Sequence, residues 1–186
     1  MRSLRRAAVV ALAVAVALPA CGPVPSGAKR KSQPALLVQQ AGATRLTVRY
    51  NRPSARGRAL FGGIVPWDSV WCPGADEATR LETTRDLAVA GRALPKGAYS
   101  LWVIPRASAD WTLIFSRKAR VEHVPYPGAE HDALRIAVRP VRGPHTESLA
   151  YTFPLATPDS AVLHFAWGDV TFAVPLKPRT AAAPAP

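Results

Sequence analysis

The sequence predicts an all-β protein. The expected fold is a single antiparallel β-sandwich, jelly-roll-like or immunoglobulin-like, preceded by a signal peptide and a flexible tether. Three observations carry this. Apolar and polar residues alternate with a period of two in segment after segment. The 19 prolines and 12 glycines fall mainly between those segments, where a missing N–H costs least. No stretch after the leader shows an amphipathic helical stripe of about ten residues. Some eight or nine short strands with Pro- and Gly-rich turns fit two packed antiparallel sheets.

The elements follow in order. "MRSLRR" is a basic start, and "AAVVALAVAVAL" is an apolar run too short to span a bilayer, which takes about 20 residues. It has the length of a signal-peptide core. It stops at "LPAC", which resembles the lipobox of bacterial lipoproteins, where the chain is cut and the cysteine, here Cys21, carries lipid. The other reading is an ordinary signal peptide cut after Ala20 or later. Residues 1–20 are thus the expected leader. Residues 21–43, "CGPVPSGAKRKSQPALLVQQAGA", are rich in Pro, Gly, Ser and Lys and read as lipidated Cys21 and a tether. Residues 44–176 are the sandwich. The end, 177–186, "KPRTAAAPAP", reads as a disordered tail.

Within the sandwich, "TRLTVRY" sets Leu46, Val48 and Tyr50 on one face and Arg45, Thr47 and Arg49 on the other. "TRLETT" and "AYSLWVIP" are further strands. "LAVAGRALPKGAY" is a short strand and then a Pro-Lys-Gly turn. "DWTLIFS" aligns Trp111, Leu113 and Phe115, and "DALRIAVRP" aligns Leu134, Ile136 and Val138. "SLAYTF" gives Leu149, Tyr151 and Phe153, "AVLHFAW" gives Leu163, Phe165 and Trp167, and "VTFAVPL" gives Val170, Phe172 and Val174. Trp102 has the opposite parity to Tyr99, Leu101 and Val103 and is expected to pack under a loop, the alternative being an exposed binding aromatic. His164 is expected at the surface.

The formal net charge is +12. Such a balance raises nucleic-acid binding in a cytosolic chain. An exported chain meets no genome, and Arg45, Arg49, Arg80, Arg85, Arg135 and Arg139 are scattered over strand faces. Nucleic acid is therefore not an expected partner; a non-specific attraction to anionic lipid or polysaccharide is. With Cys21 lipidated, Cys72 has no intramolecular partner. It is expected as a small buried apolar residue, the alternative being a reactive thiol or soft-metal ligand.

"VRYNRPSARGRALFGGIVPWDSVWCPGADEAT", then "LPKGAYSLWVIP", "DWTLIF" and "HTESLAYTF", resemble in that order the bacterial domain of unknown function 2911. The resemblance spans about residues 45 to 175 and rests on the Arg-Pro, Gly-Arg and Phe-Gly run, the Val-Pro and Val-Trp pair, and the Gly-Ala-x-Glu-Ala-Thr element. It implies a small exported all-β domain, often a lipoprotein, with no established activity. The family pattern has Arg where this chain has Cys72 and Asn where it has Asp76.

Two constellations are candidate sites. In the first, "VPWDSVWCPGADEAT" brings Trp67, Trp71, Cys72 and Glu77 into one irregular segment downstream of Arg52, Arg56 and Arg58. Either Arg52 or Arg58 pairs with Glu77 to lock the loop while Trp67 and Trp71 plug one end of the sandwich, or these residues form a pocket for an acidic or sugar-like ligand. In the second, "PHTESLAYTF" puts His145 and Glu147 on the face of Leu149, at the mouth of the core. Together with His123, His131 or Asp132, they could serve as metal ligands or an acid–base pair. No nucleophile elbow, phosphate loop, H-E-x-x-H or C-x-x-C motif occurs. No cofactor is expected. The expected function is a lipid-anchored module of the bacterial cell envelope, facing the periplasm or exterior, that binds a small molecule or glycan or serves structurally without catalysis. The alternatives are an envelope hydrolase using Glu77 or His145/Glu147, and a metal-binding module using His145, Glu147 or Cys72.

Overall fold

A computed structural model describes residues 32–179. The leader, Cys21 and the end of the tail lie outside the described residues. Ten strands form two antiparallel sheets. The first holds β1 (Gln33–Ala41), β2 (Thr44–Arg52), β3 (Arg80–Thr83), β6 (Gly97–Ile104), β7 (Trp111–Ser116) and β8 (Asp132–Val138), in that order. The second holds β5 (Arg92–Leu94), β4 (Leu87–Val89), β10 (Ala161–Pro178) and β9 (Val141–Ala156). A 3₁₀ turn at Ala129–His131 is the one helical element among the described residues.

The alternation predicted from sequence is what faces the sheets together. Leu46 and Val48 of β2, Leu101 and Val103 of β6, Leu113 and Phe115 of β7, and Leu149, Phe165 and Val174 of the second sheet are all buried in one core. The fold is the expected all-β sandwich.

Several elements differ from expectation. The segment read as one short strand before the Pro-Lys-Gly turn is two paired strands, β4 and β5, and Lys177 and Pro178, read as tail, end β10. Residues 33–41, read as tether, are strand β1, paired with β2 along its whole length from Gln33↔Arg52 to Ala41↔Thr44. Its composition concealed this, because the inward side chains are small or partly buried, Ala35, Leu37 and Ala41, while Leu36 and Val38 on the opposite face are exposed. The expected strands around residues 161–167 and 170–176 are one 18-residue strand, β10. Its buried parity runs through Leu163, Phe165 and Trp167, then changes to Phe172, Val174 and Leu176. Gly168 lies between, at φ +57°, with register shifts against β9 on both sides. A left-handed glycine inserts the extra residue that swaps the faces.

A second, smaller cluster sits on the outer face of the six-stranded sheet. Trp102, Ile114, Cys72 and Ala78 are buried there, with Val121 and Tyr126 packed against them. Trp102 is thus under a loop, as its parity predicted. Its ring meets Tyr126 edge-on at 5.3 Å, and its Nε1–H donates to Ser100 Oγ at 2.8 Å. This cover packs on β6 and β7, and on β2 the outward Thr47 and Asn51 are buried as well. The β1–β3 half carries Leu36, Val38, Arg45 and Arg49, all exposed.

Candidate functional site

Residues 53–79 connect β2 to β3 without regular structure, yet they are held along their length. Ser54 bridges to Ser148 of β9, Trp71 to Val103 of β6, and Glu77 to Glu122. The Trp71–Val103 bridge is made in both directions, at 2.8 and 2.7 Å. The Trp71 ring stacks on Trp167 with centroids 5.7 Å apart and planes at 11°. Phe61 sits within 6.4 Å of Trp67, Trp71, Trp111 and Trp167. The segment therefore seals one end of the sandwich with aromatic rings, whose main contribution is buried area. Trp67 lies at the rim, 36% exposed, beside similarly exposed Ile64 and Val70. Phe61, the hub of this cluster, is one phenylalanine before two glycines and carries no periodic signal in the sequence.

Arg52 and Arg58 do not serve as expected. Arg52 Nε donates to the Leu149 carbonyl at 3.1 Å. Arg58 donates through Nε to Ala55 O and through an Nη to Ser54 O, at 3.0 and 2.6 Å. Both guanidinium groups are spent on main-chain carbonyls, that of Arg52 on one of β9 and that of Arg58 on two of the irregular loop. Cys72 is 2% exposed, and burial pushes its thiol up to about 12. It stays protonated at neutral pH, the condition of an inert thiol filling space.

His145 and Glu147 are exposed, on the part of β9 that runs past the core. Glu147 pins the loop: its carbonyl accepts from Ala55 N–H at 2.7 Å and its Oε1 from Arg56 N–H at 2.8 Å. Nδ1 of His145 lies 3.0 Å from Asp169 Oδ1, and Nε2 lies 3.4 Å from Glu147 Oε2. Hydrogen bonds to Asp169 and Glu147 raise the His145 pKa. The Arg56 N–H and then His145 lower that of Glu147. The third partner is thus Asp169 of β10, not His123, His131 or Asp132. His123 bonds the Asp76 carbonyl, His131 lies by Glu130, and Asp132 holds Arg135 and Tyr126. Val121 and Tyr126 of the 117–131 segment pack instead with Trp102 of β6 and Ile114 of β7. Among the described residues no group of three or more His, Cys, Asp or Glu is placed to hold a metal. In a nucleophilic triad the second ring nitrogen faces a hydroxyl; here it faces a carboxylate, so both ring nitrogens are placed to donate to carboxylates when the imidazole is protonated.

Glu77 lines a different feature. An open cleft of about 640 Å³ lies between β1, β2, β3 and the 119–122 segment. Arg49, Arg80 and Arg120 line it with Glu77, Glu82 and Asn51. Arg80 Nε is 2.8 Å from Glu82, whereas Arg49 is 4.0 Å away from the same carboxylate. Arg120 is exposed and has no ion pair among the described residues. Asn51, 4% exposed, donates to Ala75 O while its Oδ1 has no partner among the described residues. Arg49 and Arg80 meet because they are register partners on β2 and β3. That pairing spans a long loop, so along the sequence the two are separate cations on strand faces.

No curated protein and no solved structure matches this chain. Residues 32–176 match the model of the family described as "Protein of unknown function (DUF2911)", and the chain belongs to that family.

Proposed function

We propose that this protein is an anchored, non-catalytic binding module of the bacterial cell envelope, and that its ligand is a small anion-bearing molecule taken up in the Arg49–Arg80–Arg120 cleft. The anchor rests on the leader and "LPAC" at Cys21. The observation that supports the binding reading is the cleft's charge. Three guanidinium groups line it, of which Arg80 is committed to Glu82, Arg49 is only loosely held, and Arg120 is unengaged among the described residues. Guanidinium forks match carboxylate and phosphate geometry. The aromatic plug and the arginines at 52 and 58 support the fold of the loop that leads to this cleft.

The test is a thermal-shift and calorimetric titration with inorganic phosphate, glycerol phosphate and uronic acids. Saturable binding that falls about tenfold or more in Arg120→Ala supports the reading, since charge-assisted bonds contribute about 1.5–3 kcal/mol. Equal, non-saturating responses in wild type and Arg120→Ala refute it. The acid–base alternative draws less support, because both His145 nitrogens face carboxylates.

A further inference from the structure

We infer that the outer face of β1–β3, where Leu36, Val38, Arg45 and Arg49 are exposed, is a docking surface for an anionic lipid membrane. The inference rests on the anchored-module reading above and names the source of its anion: a lipid phosphate.

The strand register composes the face. Leu36 of β1 stands opposite Arg49 of β2, which stands opposite Arg80 of β3. In the next row Val38 stands opposite Thr47, and Thr47 opposite Glu82. Gln40 and Arg45 complete a third pair. Residues directly opposite share a face, so two aliphatic side chains and a line of arginines point the same way. Leu36 is 56% and Val38 51% exposed. Isolated exposed apolar residues are ordinary, but these two alternate on one edge strand beside three cations. Apolar groups that enter the interface and arginines that meet phosphate are what an anionic bilayer selects.

Two further observations favour a membrane over other occupants. The anion cleft and a second groove, lined by Val38, Arg45 and Thr47, share Arg49 and Glu82, so they form one continuous surface. The chain also enters the domain at this surface: Ser32 N–H donates to Asp76 at 3.2 Å, and Pro34, Ala35 and Leu36 line the cleft. From Cys21 to Ser32 the chain spans at most about 40 Å when fully extended. A lipid at Cys21 would therefore hold this edge within that distance of the bilayer and raise its effective concentration there.

The experiment uses residues 22–186, which retain every described residue and carry no lipid. Sedimentation with phosphatidylcholine vesicles is compared with vesicles containing about one third phosphatidylglycerol. The expected result is preferential binding to the anionic vesicles, lost at high salt. Each cation near an anionic surface contributes about 1 kcal/mol, or about fivefold, so Arg45→Ala with Arg49→Ala should weaken binding about 25-fold. Leu36→Asp with Val38→Asp should abolish it, with circular dichroism confirming the fold. Arg139→Ala with Arg142→Ala, away from this face, should weaken it much less. Equal loss in that control pair would overturn the inference, because net charge alone would then be responsible. So would the absence of any preference for anionic vesicles. If soluble glycerol phosphate still binds through Arg120 while vesicles do not, the cleft reading survives and the membrane surface falls. If neither binds, both fall.

Discussion

Trp71 lies flat against Trp167, 5.7 Å away with planes at 11°. One ring comes from the irregular connection and the other from the longest strand. This stack and the Trp71–Val103 bridge lock residues 53–79 across both sheets.

Trp71→Ala should therefore cost about 3 kcal/mol, the low end for removing a large aromatic because the ring is only partly buried. For a domain of this size that is a fall in Tm of about 10 °C. Trp67→Ala, at the rim, should cost about 1 kcal/mol. Thermal melts of the two variants check the order.

Cys72 should resist thiol reagents in the folded protein and react on denaturation, as burial and a pKa of about 12 require. Cys72→Ser should destabilise by about 2 kcal/mol, because its hydroxyl enters an apolar cluster of Trp102 and Ile114. Cys72→Ala should cost about 1 kcal/mol. Denaturant titrations and thiol-labelling rates test both.

The His145 cluster carries a pH dependence of definite sign. His145 has a raised pKa, so its contribution is complete below the ordinary 6.5 and fades as pH rises through the raised value. Glu147 has a lowered pKa, so its contribution is complete above the ordinary 4.5 and fades as pH falls through the lowered value. The Tm difference between wild type and His145→Ala should be greatest between those two values and vanish in alkaline solution. It should be small, since His145, Glu147 and Asp169 are all about half exposed.

Gly168→Ala should destabilise by about 2 kcal/mol. A left-handed alanine costs about 1 kcal/mol, and its Cβ would lie 2.6 Å from Leu60 Cδ1. Combining it with Leu60→Ala should give less than the sum of the two losses, which a double-mutant cycle measures.

Alternation by itself determined the all-β class and most of the core. Leu46, Val48, Leu134, Ile136, Leu149 and Phe165 lie where period two put them, because a strand facing a core must repeat every second residue. Burial of Trp102 under a loop was legible for the same reason. Strand β1 was not, since its apolar residues fall on both faces, with Ala35, Leu37 and Ala41 inward and Leu36 and Val38 outward, and show no alternation. The partners at the candidate sites were not legible either. Asp169 reaches His145 only through β9–β10 pairing at a bulge, and Arg49 reaches Arg80 only through β2–β3 register. Sequence determines which way each side chain points along its own strand. Which distant strand lies beside it is decided by the packing of the whole chain, and a site built from neighbours on different strands exists only there.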